Sequence, residues 1–173
     1  MISLRPLLVL ALAAASAGPS SSAGGVSWTV PAGWQSAPER PMRVGTYAIP
    51  AASGAEAGEC GVFFFGRGQG GSVEDNLARW KSQFESATSP KEQTATVNGL
   101  KVHEMDVSGT YTSPGGPMMQ SQGKKPGWRL LGAIVEAPDG LVFFKCTGPA
   151  ATMAKAGKDF QALIKSLSKA TKA

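Results

Sequence analysis

Histidine and cysteine are scarce in this chain, with one His and two Cys in 173 residues. A four-ligand zinc site of the common kind is therefore hard to assemble from its own side chains. A Ser-His-Asp hydrolase would have to use His103, the single histidine. No Cys-x-x-Cys occurs, which removes the signature of a disulfide oxidoreductase. No Gly-Lys-Ser/Thr occurs, which removes a Walker A loop. Charged residues make up only 17%, yet 42% are hydrophobic, too many for a disordered chain. The length is too short for two ordinary domains. The 22 Gly and 12 Pro follow no period, so a collagen-like array is excluded.

What is present begins with a targeting pattern. Arg5 precedes an apolar run from Leu7 to Ala15, and small residues follow at Ala15-Ser16-Ala17 and Ser21-Ser22-Ala23. This is the order of a secretory signal peptide, here placed at residues 1–23, with a single domain over residues 24–173. The alternative, a membrane anchor, needs roughly 20 apolar residues, about twice the run present. No Cys lies near the cleavage region to carry a lipid, and no later segment is long and apolar enough to span a bilayer. The formal net charge of +5 falls by one when Arg5 leaves. The expected location is exported, in a bacterial periplasm or outside the cell.

Export gives the cysteines an oxidising setting. Cys60 opens the apolar run through Phe65, and Cys146 closes the run from Leu141. The readings are a redox pair, two buried thiols, or a structural bridge between two strands. The last is expected, and it makes Cys60 and Cys146 neighbours in one sheet.

Val26–Val30 alternates like a strand and turns at Pro31-Ala32-Gly33-Trp34. Met42–Ile49 and Cys60–Phe65 are further strand candidates, the latter apolar on both faces and hence central. After the glycine-rich stretch 66–71, the spacing predicts a helix from Ser72 to about Ala87. Ser72 is its cap, and Val73, Leu77, Trp80 and Phe84 form one stripe. Asn98-Gly99 predicts a two-residue turn between Thr94–Val97 and Leu100–Thr112. A second hairpin joins Trp128–Ala137 to Leu141–Thr147 around Pro138-Asp139-Gly140. A helix over about Ala150–Lys169 closes the chain, with Met153, Phe160, Leu163, Ile164 and Leu167 on one face and lysines opposite. Hairpin-linked strands with two helices indicate an α+β domain: an antiparallel sheet with flanking helices.

The strand and corner VSWTVPAGW, the Asn98-Gly99 hairpin, the later long hairpin and the closing helix through Phe160–Leu167 resemble the PsbP-like family. That family includes an extrinsic photosystem II subunit, a Ran-binding transport protein and many exported bacterial proteins. The resemblance implies an α/β/α sandwich and carries no functional residue with it.

Three local features invite chemistry. Gly66-Arg67-Gly68-Gln69-Gly70-Gly71 spells G-x-G-x-x-G, but a hairpin follows where a dinucleotide fold needs a parallel strand. Its bland reading is a flexible connection. Its functional reading is a simple anion site at Arg67, Gly68, Gly70, Gly71 and Ser72. His103 and Met105 point to one side of their strand, and with Met118 and Met119 would form a soft copper site, against the reading of core fillers. Glu104 and Asp106 point to the other side, read as a solvated polar face. The lysines of the last helix, with Lys124, Lys125 and Arg129, read first as a solvated helix face; their functional reading is a weak attraction to an anionic envelope surface or polymer rather than nucleic acid. The leading expectation is a non-enzymatic exported domain that binds or assists an envelope component, with no cofactor. The alternatives are a small enzyme using His103 as general base and a copper protein.

Overall fold

A computed structural model describes residues 18–88, 90–112 and 123–171. The apolar leader and the loop methionines Met118 and Met119 lie outside the described residues. In chain order the elements are β1 (Ser20–Ala23), β2 (Val26–Thr29), β3 (Gln35–Ser36), β4 (Arg43–Ile49), β5 (Gly58–Phe64), α1 (Val73–Ser82), β6 (Phe84–Glu85), β7 (Lys91–Val97), β8 (Leu100–Thr112), β9 (Lys124–Ala137), β10 (Gly140–Pro149), α2 (Ala150–Ser166) and β11 (Ser168–Lys169). The main sheet has eight strands in the order β3-β4-β5-β10-β9-β8-β6, with β7 also paired to β8. Every pairing is antiparallel. A second, three-stranded sheet runs β1-β2-β11.

The sheet separates two apolar clusters. On one face α2 sets Met153, Phe160, Leu163 and Ile164 against Val62, Ala133, Phe144 and the Cys60–Cys146 pair. Trp28 of the small sheet joins them, edge-on to Phe144 at 5.1 Å, and its Nε1 donates to the Tyr47 hydroxyl at 3.2 Å. On the other face Trp80 of α1 covers Met105, Leu130, Ile134 and Phe143. β10 is buried on both sides, which is why Val142, Phe143 and Phe144 are apolar without alternation.

Cys60 and Cys146 stand directly opposite one another in the β5–β10 register and are joined by a disulfide. Their Cα atoms are 3.9 Å apart, nearer than the 4.4 Å lower end of the usual range, because they are facing partners on adjacent strands.

The elements differ from the sequence expectation at three ends. The first helix stops at Ser82 instead of about Ala87. Phe84 leaves helical geometry to pair with Tyr111, the rings 5.1 Å apart, and the Gln83 carbonyl accepts the Thr112 N–H at 2.7 Å. Sheet pairing outweighs the helical stripe there, though Phe84 is buried as expected. The second helix stops at Ser166 because Ser168 and Lys169 pair with Ser27 and Val26. The Asn98 amide donates to the Leu167 carbonyl at 2.8 Å, so the hairpin turn also holds the end of α2. Asn98 and Gly99 have φ of 48° and 77°, as a primed two-residue turn requires. Finally, Ser20–Ala23 is a strand paired with Val26–Thr29, so the folded part begins before the expected boundary at Ala23.

Trp80 lies over Gly132, where an added Cβ would come within 2.4 Å of its ring. Denaturant titration is expected to show a loss of about 3–5 kcal/mol for Trp80→Ala. Gly132→Ala is expected to cost about 1–3 kcal/mol through the clash. The double variant should lose less than the sum, since removing the ring removes the clash.

Candidate functional site

The α2 face of the sheet changes character toward its β7 edge. One row across the sheet reads Lys91, Asp106, Leu131, Cys146, Cys60, Tyr47; the next begins Gln93, Glu104, Ala133, Phe144. The apolar core under α2 thus gives way to polar side chains at β8 and β7. A cavity of about 240 Å³ opens there, lined by Lys91, Gln93, Glu104, Asp106, Arg129 and Gln161. Phe160 and Leu131 form its apolar wall. Gly157 leaves the α2 side open, since nothing lies within 4 Å of where its Cβ would be.

Glu104 is the notable group in this cleft. Only 8% of it is exposed, so it does not belong to the solvated face expected of it. The helix α2 roofs that face, and Gln161 donates to Oε2 at 2.7 Å while Gln93 donates to Oε1 at 3.2 Å. No cation pairs with Glu104 among the described residues, although a buried carboxylate ordinarily needs one. Asp106, by contrast, is held bidentately by Arg129 at 2.8 and 2.7 Å. That hydrogen bond raises the Arg129 pKa further above its ordinary value.

The opposite face carries the other sequence candidates. His103 lies in a chain of hydrogen bonds across three strands. Its Nδ1 is 3.0 Å from the Thr94 hydroxyl, and its Nε2 is 2.8 Å from Glu136 Oε1. The bond to His103, with Lys101 beside it, lowers the Glu136 pKa. Met105 is 1% exposed and packs in the α1 cluster. The two proposed copper ligands thus share a face but not an open position. No group of three or more His, Cys, Asp or Glu suited to a metal occurs among the described residues.

The glycine-rich loop turns through Gly66, Gly68, Gly70 and Gly71, all with positive φ. Ser72 caps α1 by accepting the Asp75 N–H at 3.0 Å, as expected. Arg67, however, turns to the Pro138-Asp139 hairpin, donating to the Pro138 carbonyl at 2.9 Å and to Asp139 at 3.2 Å. The cation of the anion-site reading is thereby engaged by a carboxylate, and Glu74 and Asp75 occupy the first helical turn.

Sequence reasoning passed over Lys145. It sits mid-strand on β10 between Gly61 and Gly132. Arg43 lies over Gly61 and Trp80 over Gly132. The ammonium donates to Gln83 Oε1 at 2.5 Å and to the Tyr111 hydroxyl at 3.3 Å, with no carboxylate partner among the described residues. Burial first, then the charges of Arg43 and Arg79, push its pKa down to about 8. A lysine in the otherwise apolar run Leu141–Cys146 was the available signal.

No protein-family model matches this sequence, and no curated protein matches it. Solved structures do. The solution structure of cyanobacterial PsbP from Synechocystis aligns with a TM-score of 0.54 at 10% identity, covering 94% of this chain and 98% of the other. PA94, a Pseudomonas aeruginosa protein of unknown function, aligns with a TM-score of 0.50 at 12% identity, covering 85% and 93%. The fold is PsbP-like. At such identity a PsbP-like fold assigns no residue a role, so the cleft stands on its own geometry. No helix among the described residues is long and apolar enough to cross a membrane.

The Lys145 pKa gives a pH test. Between about pH 8 and its ordinary 10.5, the unfolded chain binds a proton that the folded chain has released. Stability attributable to this lysine therefore rises with pH across that window, and its burial cost is largest below it. Lys145→Met is expected to raise stability at pH 7 by up to about 3 kcal/mol. The gain should shrink toward pH 10, as followed by urea titration of both proteins.

Proposed function

We propose that this chain is an exported, non-enzymatic binding domain whose ligand enters the cleft between α2 and the β7–β8 edge. The observation that carries this reading is Glu104: a nearly buried carboxylate, oriented by two amide donors, lining a cavity and lacking a cation. Such a group matches a ligand with an ammonium or guanidinium, with Phe160 and Leu131 contacting its apolar part. The leader-like N-terminus, the disulfide and the PsbP-like fold support an extracytoplasmic site of action.

Thermal-shift titration with small primary amines and guanidines tests the cleft. At least one class should stabilise the native protein, by about 2.7 kcal/mol at a hundredfold excess over Kd. Glu104→Gln, which keeps the shape and removes the charge, should abolish that shift. So should Gly157→Leu, which fills the opening. A protein indifferent to every cationic compound would sink the reading.

The hydroxyl–imidazole–carboxylate chain Thr94, His103, Glu136 favours a second reading, a small exported hydrolase with His103 as base. It requires that His103→Ala remove any ester hydrolysis found in the purified protein.

Processing follows the same proposal. The Val30 N–H bonds the Pro19 carbonyl at 2.9 Å, and β1 begins at Ser20. Cleavage after Ala17 preserves this strand, whereas cleavage after Ala23 deletes it. Intact-mass analysis of the exported protein is expected to show Gly18 as the first residue.

A further inference from the structure

The α1 face carries a second charged cluster, remote from the cleft and independent of its function. α1 covers the β8–β9 side of that face and leaves the β4–β5 side open. Arg43 and Phe63 are paired in register there, with the Arg43 guanidinium 5.3 Å above the Phe63 ring. Lys145 lies across Gly61 from Thr46, in the next row. Arg79 stands one helical turn before Gln83, the residue whose amide oxygen accepts from Lys145, and its guanidinium makes no hydrogen bond or ion pair among the described residues.

The charges do not cancel. Glu59 is bound by both Arg40, at 2.9 Å, and Arg43, at 2.7 Å. Glu85 of β6 is bound to Lys124 at 2.7 Å. The Tyr111 hydroxyl accepts from Lys145, and on that side Lys125 stands over the Trp128 ring at 4.3 Å. Of the helical acids, Glu74 and Asp75 stand in the first turn of α1, whereas Arg79 stands in the last. Among the described residues Lys145 and Arg79 are therefore left without a carboxylate partner, beside a third cation that shares its own. Clustering like charges in a partly buried place is unfavourable unless an anion completes it.

We propose that Lys145, Arg79 and Arg43 form a binding site for the phosphate group of an anionic ligand. One ammonium and two planar guanidinium groups can meet the several oxygens of a phosphate from different sides. The surroundings suit a phosphate that carries an apolar portion. The exposed large hydrophobic side chains, Met42, Val44 and Phe65, all belong to β4, β5 or the residues beside them. Phosphate binding also has a signature that non-specific attraction lacks. The anion raises the depressed Lys145 pKa, so near pH 8 the complex takes up a proton.

Calorimetric titration of the folded chain with inorganic phosphate at pH 8 and constant ionic strength, in two buffers of different ionisation heat, tests the site. Saturable binding with proton uptake is expected. Arg79→Gln changes an exposed side chain, so the fold should survive, and it should weaken binding about tenfold. Lys145→Met should abolish the proton uptake. Sedimentation with vesicles distinguishes the sources of the phosphate. Attachment to phosphatidylglycerol vesicles that falls about tenfold in Arg79→Gln, with none to phosphatidylcholine, assigns a lipid headgroup. Phosphate binding without vesicle attachment assigns a soluble phosphate ester. The proposal is overturned if neither phosphate nor vesicles bind, if both variants bind like the native protein, or if phosphatidylcholine vesicles bind equally well.

Discussion

The pairing of β10 with β5 on one side and β9 on the other is the constraint on which the rest depends. β10 is buried on both faces, so it needs a helix above and below it. The disulfide sits in this pairing, with Cys60 and Cys146 as direct partners 86 residues apart in sequence. Such a closure removes much of the freedom of the unfolded chain, nominally about 4–5 kcal/mol in the chain-entropy view. The register that aligns these cysteines also places Lys145 opposite Gly61 and Gly132 on the other face. One alignment therefore determines both the covalent core and the buried cation.

Charge is then distributed around that core in two unlike ways. On the α2 side the polar edge of the sheet is covered by helix, and Glu104 is kept from water by Gln93 and Gln161. On the α1 side the short helix stops at Ser82 with Arg79 in its last turn, and beyond it Lys145 and Arg43 lie on either side of Gly61. On each side one side chain, Glu104 or Lys145, has no oppositely charged partner among the described residues. Neutral hydrogen bonds orient such a group but do not replace a counter-ion.

The strand candidates and the two hairpin turns were legible because they rest on local chemistry, whereas the order of the strands in the sheet was not. Asn98-Gly99 accepts positive φ, and the Leu141–Phe144 run announces a buried strand. The role of Asn98 in closing α2 was not legible, since Leu167 lies 69 residues away. Glu104 and Asp106 illustrate the same limit. Alternation placed them together on one face, but only the helix above decides that one is buried among amides and the other paired with Arg129.

By itself, the sequence determined which residues must leave water and with what period, hence the α+β class, the hairpins, the two amphipathic helices and the single possible cysteine pair. These follow from side-chain chemistry and spacing along the chain. The tertiary structure alone decided where helices give way to short strands at Phe84 and Ser168, that β1 belongs to the fold, and that Arg67 turns to Asp139. It also decided which charges lose their partners. Pairing across strands and burial beneath a helix depend on groups far apart in sequence, and their energies are comparable with the local preferences they override.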